Sequence, residues 1–232
     1  MNKIMEKQQY NEVKHNGLLL TPICDGLRTG TKSNGIKYSV RTDRSSYFFP
    51  DRWEMLFNNI KPDKQGIFDV LINTGARIDE ALNIRPEDFD WERNHLTLKV
   101  TKTKVAKGES MGKRRSFVIS SQFARRIRKY ISENNIQAGQ ILFPITKQAV
   151  SQMFKRALKK AEFKDWYMFS LHNIRKTHGN WLKALEVPSD EICLRLGHDH
   201  NTYLRHYGSA SLFDRKDKMM MIKILGDVYG FK

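Results

Sequence analysis

Residues 171–185 read LHNIRKTHGNWLKAL. Leu171, Ile174, Trp181, Leu182 and Leu185 recur at helical spacing, which predicts an amphipathic helix with those side chains inward. His172 and Arg175 stand three apart, so they project from one face, at the edge of the apolar stripe. Alone, such a pair is an ordinary solvated helix edge; its meaning depends on the rest of the chain.

Working outward, the same periodicity recurs. Pro50 can open a helix carrying Trp53, Leu56, Phe57 and Ile60. Ile67, Val70 and Leu71 continue as a second helix that breaks at Thr74-Gly75, and a short helix with Arg77, Glu80 and Ala81 ends before Arg85-Pro86. Residues 94–101 (NHLTLKVT) alternate as a strand, and 115–120 (RSFVIS) read as its partner across a polar loop. Further helices are predicted from Phe123 to Tyr130 and over 146–161, with Val150, Met153, Phe154 and Leu158 buried. Ser189 reads as an N-cap with Asp190 and Glu191 in the first turn, and Gly197 as the terminating glycine. The fold class is mainly α with a small antiparallel β-sheet (α+β).

The ends differ from the middle. Residues 1–45 carry Gly17, Gly26, Gly30 and Gly35 with little periodicity, and read as a basic arm or linker with a short hairpin around Asn34-Gly35. Residues 46–210 form the main domain. Residues 211–232 form a helical tail in which Phe213, Met220, Met221, Ile224, Leu225 and Val228 are compatible with one apolar face.

Composition points to a partner. Lys and Arg outnumber Asp and Glu 41 to 25, a net charge of +16. That excess predicts a polyanion, with phosphate contacts giving salt-dependent affinity. It is concentrated in Lys102, Lys104, Lys107, Lys113, Arg114 and Arg115, expected to contact DNA, and in Arg125, Arg126, Arg128 and Lys129 beyond them. Cys24 and Cys193 form no C-x-x-C pair, and Cys193 reads as a small buried hydrophobe. No stretch approaches the ~18 apolar residues of a membrane span, and the N-terminus lacks an apolar signal core. The expectation is a cytoplasmic protein, nucleoid-associated when bound to DNA.

Four segments share one chemistry: TGARIDEAL (74–82), VTKTK (100–104), LHNIRKTH (171–178) and LGHDHNTYLRHYG (196–208). A phosphodiester gains negative charge on its non-bridging oxygens as it becomes pentavalent. Two guanidiniums, Arg77 and Arg175, offer parallel donors to those oxygens. Tyr207 can attack phosphorus once a neighbour such as His172 accepts its proton, because a free phenol titrates near ~10. Lys102 can protonate the leaving 5′ oxygen. Lys104 competes with it, but the T-K-T pattern at the strand end favours Lys102. His198 would hydrogen-bond the phosphate or the attacking hydroxyl, and Glu80 would brace the site without touching substrate. Tyr203 shares a helical face with Tyr207 and reads as packing. His178, His200 and His206 lack metal-ligand spacing, so no metal is expected.

The order Arg77, Lys102, His172-x-x-Arg175, Gly197-His198, Tyr207 resembles the tyrosine recombinase (phage integrase) family, over about residues 46–210. TGARIDEALNIRPEDFDW is similar to its first arginine box, VTKTK to its hairpin lysine, LHNIRKTHGNWL to its second box, and LGHDHNTYLRHYG to its Gly-His and nucleophile. The resemblance implies a site-specific recombinase acting on double-stranded DNA through a 3′-phosphotyrosine, without cofactor. It implies four protomers on two DNA sites, with the tail docking on a neighbour. Family members that act alone usually carry a helical core-binding domain ahead of the catalytic one. The arm here is shorter, which predicts an accessory DNA-binding protein, a minimal recombinase or a fragment. Two rival readings are a type IB-like topoisomerase and a catalytically silent DNA-binding accessory or regulatory protein.

Overall fold

The computed structural model describes the backbone of residues 28–31 and 37–40, and residues 47–100, 114–163, 166–201, 203 and 213–228. The predicted hairpin lies in the arm, where β1 (Arg28–Thr31) and β2 (Lys37–Val40) pair antiparallel with Thr31 opposite Lys37. The body opens with α1 (Pro50–Asn58), α2 (Gln65–Thr74) and the single turn α3 (Ile78–Ala81). A three-stranded antiparallel sheet follows, β3 (Phe89–Asp90), β4 (His95–Lys99) and β5 (Arg114–Val118), with β4 in the middle. Helices α4 (Ser121–Glu133), α5 (Lys147–Lys160), α6 (Leu171–Ala184), α7 (Ser189–Leu196) and α8 (Arg215–Leu225) complete it.

The helix limits follow from local chemistry. Pro50 sits in the first turn of α1, where its missing N–H costs nothing. Ser120 and Thr146 accept the backbone N–H of Phe123 and Ala149, capping α4 and α5, and Asp214 does the same for α8 through Asp217. Ser189 is the first residue of α7 and Pro188 its cap, one residue earlier than expected.

Helix α6 is the centre. It packs along α2 and α7, α7 leans on β5, and α8 lies across α1, α2 and α6. Residues Asn173 to Leu182 are all buried, so α6 is not the one-sided helix its apolar stripe predicts. Its polar groups are satisfied inside: Thr177 accepts the Phe48 N–H at 2.9 Å, and the Trp181 indole donates to the Phe48 carbonyl at 2.9 Å. The Phe48 ring stacks on Phe169 with centroids 4.6 Å apart and meets Trp53, Phe154 and Phe163 edge-on. Those contacts clip the entry segment to the central helix.

The C-terminal helix lies on its own domain. Met221 and Leu225 are buried, the Ser120 hydroxyl donates to the Leu225 carbonyl at 2.6 Å, and Lys218 and Lys223 pair with Glu186 and Glu54. No helix among the described residues is long and apolar enough to cross a membrane. Cys193, expected in the core, is half-buried on α7.

Candidate active site

Helix α2 ends at Gly75 in the left-handed region, φ 61°. A β-carbon there would stand 2.6 Å from both His178 Cδ2 and Leu196 Cδ2, so only glycine lets α6 and α7 approach this turn. The last carbonyls of a helix have no partner within it and carry partial negative charge. Here groups from α6 and α7 serve them. His178 Nδ1 is 2.7 Å from the Ile72 carbonyl, Arg195 Nη1 donates to the Asn73 carbonyl at 3.4 Å, and Arg175 Nη1 donates to the Gly75 carbonyl at 2.6 Å. A carbonyl only accepts, so His178 holds its proton on Nδ1. Burial, then the charges of Arg195 and Arg175, push its pKa well below the ordinary value against the pull of the Ile72 bond, and the ring is neutral.

Helix α7 also ends on a left-handed glycine, Gly197, φ 58°. Arg175 Nη2 donates to the carbonyl of Leu196, just before that turn, and lies 3.0 Å from His198 Nε2. A guanidinium has no acceptor, so Nε2 must accept and this His198 is the neutral Nδ1–H tautomer. Arg175 is only 1% exposed. Two helix C-termini converge on it.

Two residues beyond Gly75, Arg77 opens α3. The Glu80 carboxylate accepts the Arg77 backbone N–H at 2.7 Å and Arg77 Nη1 at 2.9 Å. Arg115, from β5, closes on the same carboxylate with a two-pronged fork, Nη1 to Oε1 at 3.1 Å and Nη2 to Oε2 at 2.5 Å. Burial pushes Glu80 up, but the bonds and charge of Arg115, with those of Arg77, outweigh it and hold the carboxyl below its usual value. The Arg77 side chain keeps 24% of its surface open, against 0% for Glu80.

The structure therefore brings Arg77, Glu80, Arg175 and His198 together around the Gly75 and Gly197 turns. His172 is exposed in the first turn of α6. Lys102, Lys104, Lys107, Lys113 and Tyr207 lie outside the described residues. Arg114 is exposed, but Arg115, expected on the DNA-facing surface, is buried and spent on Glu80. Arg126 and Arg128 stay exposed while engaging neighbours on the surface: Arg126 forks onto Asp69, and Arg128 lies over the Trp91 ring and donates to its carbonyl. Tyr203 is 5% exposed, with the Lys183 ammonium 5.5 Å from its ring centre.

Three residues of this site escape sequence reasoning: Arg115, His178 and Arg195. Arg115 had a readable signal, because strand alternation sets it on the same face as Phe117. His178 had one as well, because it stands four after Ile174 and three before Trp181, in the middle of the apolar stripe, and Arg195 follows Ile192 by three on α7. Among the described residues, no group of three or more His, Cys, Asp or Glu could hold a metal ion.

With this geometry in hand, the comparisons are informative. A model of the phage integrase family matches residues 49–211. A sequence comparison with curated proteins gives no match. Among solved structures, XerA recombinase superposes with a TM-score of 0.58 at 17% identity, over 76% of this chain and 64% of that one. The Tn1549 transposon integrase in complex with circular intermediate DNA gives 0.56 at 19%, over 77% and 64%. The catalytic domain of bacteriophage HP1 integrase gives 0.52 at 19%, over 71% and 87%. At such identities the likeness is one of fold, and the chain spans less than two thirds of the first two proteins.

Proposed function

The chain belongs to the phage integrase family, and from that premise we propose that it is a site-specific DNA recombinase. It breaks and rejoins double-stranded DNA through a 3′-phosphotyrosine on Tyr207. The observation that carries this reading is the convergence of Arg77, braced by Glu80, with Arg175 and His198 at two facing glycine turns. Its likeness to an integrase held on DNA favours the same substrate.

In the first step the Tyr207 oxygen attacks phosphorus while His172 takes its proton. The P–O bond to the 5′ oxygen breaks, and Lys102 gives that oxygen a proton. Arg77 and Arg175 hold the non-bridging oxygens, and His198 acts beside Arg175. In the second step a 5′ hydroxyl attacks the phosphotyrosine and frees Tyr207, so bond energy is conserved and no cofactor is consumed. Losing one such donor costs on the order of 10² to 10³ in rate. Residues 46–210 act as the catalytic unit, with the exposed Arg114 and the lysines of 102–113 on the DNA backbone. Residues 1–45 form an arm on the DNA, and four protomers hold two sites, with an accessory DNA-binding protein completing the grip. The protein works in the cytoplasm, on the nucleoid.

The test is covalent trapping on nicked duplexes drawn from the surrounding genomic sequence, without metal. An SDS-resistant adduct formed by wild type and by Tyr203→Phe, and lost in Tyr207→Phe, is expected. Loss in Tyr203→Phe alone would overturn the assignment of the nucleophile. Tight, specific binding with no adduct would overturn the reaction itself.

A further inference from the structure

We propose that Arg115 is a positioning residue of this cleavage site: it neutralises and orients Glu80, so that Arg77 stays available to the phosphate, and it backs the turn that carries His198. The inference rests on the recombinase reading and adds to it a residue outside the expected catalytic set.

The argument begins with charge. Glu80 is fully buried and ionised, and a buried carboxylate demands a cation. Two arginines surround it, and their settings differ. The Arg115 side chain is 5% exposed and spends both terminal nitrogens on the two carboxylate oxygens. Arg77 gives Glu80 one side-chain bond, from Nη1, and remains partly open. The Arg77–Glu80–Arg115 group carries a net charge of +1. Because Arg115 already cancels the carboxylate, that unit charge resides on Arg77, on the open side. Without Arg115 the group would be neutral, and Arg77 would be drawn onto Glu80 as its only counter-ion.

Geometry adds a second link. A β-carbon at Gly197 would lie 3.3 Å from Arg115 Nη1 and 3.7 Å from its Cδ. The same guanidinium therefore lies against the turn that places His198. Its strand is held to α7 again, because Arg195 donates to the Val118 carbonyl and sits 4.6 Å from the Phe117 ring centre. Lysine could supply the charge but not the planar fork that fixes both carboxylate oxygens at once.

The experiment uses the full chain with Arg115→Met, Arg115→Lys, Arg77→Lys, the double variant Arg115→Met/Arg77→Lys, and Glu80→Gln/Arg115→Met. The last leaves no buried charge unpaired, so it tests the idea even where Arg115→Met folds poorly. Two readouts are taken: single-turnover adduct formation at saturating DNA beside DNA affinity, and the Arg77 guanidinium signal in side-chain NMR of the free protein. Arg115→Met should slow cleavage by about 10²-fold, the scale of a small misplacement of a reacting group, with affinity nearly unchanged. Arg115→Lys should recover part of the rate. Adding Arg115→Met to Arg77→Lys should cost little more, and Glu80→Gln/Arg115→Met, with no carboxylate to draw Arg77 away, should cleave faster than Arg115→Met while remaining slower than wild type. The Arg77 signal should shift in Arg115→Met. A folded Arg115→Met protein that cleaves at the wild-type rate, or a loss that multiplies with Arg77→Lys, overturns the inference. The NMR readout needs no cleavage: an unmoved Arg77 signal overturns it whether or not wild type reacts, whereas a wild type that forms no adduct sinks the recombinase reading alone.

Discussion

Gly75→Ala isolates the contact on which the site is built. Gly75 has φ 61°, and an added β-carbon would meet His178 Cδ2 and Leu196 Cδ2 at 2.6 Å each. The left-handed backbone alone costs an L-residue about 1–2 kcal/mol. Overpacking a close-packed interior adds about 1–3 kcal/mol, and the stiffer unfolded chain returns about 0.4–1 kcal/mol. The net loss is about 2–4 kcal/mol, which a domain of ordinary stability survives. Gly139→Ala is the internal control: its φ is 84°, but nothing lies within 4 Å of the new carbon. It carries the backbone cost without the collision, so the two variants should differ by about 1–3 kcal/mol in urea unfolding. The function should fall further. The Gly75 carbonyl holds Arg175 Nη1 at 2.6 Å, and Arg77 follows two residues on. Displacing that turn moves both guanidiniums, and adduct formation by the folded variant should drop about 10²-fold. Equal stability losses in the two variants, or wild-type cleavage by folded Gly75→Ala, would refute the claim that this turn sets the site.

Two further outcomes concern His178 and Arg126. His178 is held neutral, its pKa well below 6.5, whereas the unfolded chain protonates it near that value; the unfolded state therefore binds the extra proton in mild acid, and its contribution to stability, present above about pH 6.5, declines as pH falls, by about 1.4 kcal/mol from pH ~7.5 to ~5.5. Urea midpoints across that window check it, and a His178→Gln protein with the same pH slope would contradict it. Arg126 ties Asp69 to the carbonyl of Ile224 at the end of α8; Arg126→Gln should lower global stability by no more than about 1 kcal/mol, because the pair is partly exposed, while amide exchange over 215–225 quickens. Unaltered exchange there would show that α8 is held by its apolar face alone.

Much of the fold was legible in punctuation. Pro50, Gly75 and Gly197 mark helix ends because each has a local physical reason to, independent of the rest of the chain, whereas the caps Ser120 and Thr146 went unread. The strand β3 was missed, since two residues, Phe89 and Asp90, carry no periodicity. Helix α6 misled more instructively: its apolar stripe predicts one buried side, but Thr177 and Asn180 are buried too, through bonds to the distant Phe48 or back within the helix. Propensity and period describe an isolated helix and do not register such partners. In the basic cluster Arg115 was misread for a related reason. Charge counts locate cations without giving their direction, and Glu80 turns Arg115 inward, whereas Arg126 and Arg128 stay exposed beside Asp69 and Trp91.

The arrangement around Arg175 explains how this domain can bury so many guanidiniums with so few carboxylates. Arg175, Arg115 and Arg195 are all nearly inaccessible, and Glu80 is the one acid among the buried polar side chains of the described residues. Glu80 answers Arg115. Arg175 is answered by backbone: the carbonyls of Gly75 and Leu196 belong to the C-terminal ends of α2 and α7. Each such end carries about half a negative charge, so two of them amount to about one. Arg195 donates to one such end at Asn73, and to Val118 at the end of strand β5. A cation held at helix ends is balanced there by backbone dipoles. It also binds folding to chemistry: the bonds that close α2 and α7 onto α6 are the bonds that aim Arg175. A substitution at Arg175 therefore removes a helix cap together with the proposed phosphate ligand, and a lost reaction in such a variant speaks to catalysis only where the unfolding midpoint of the same protein has been measured beside it.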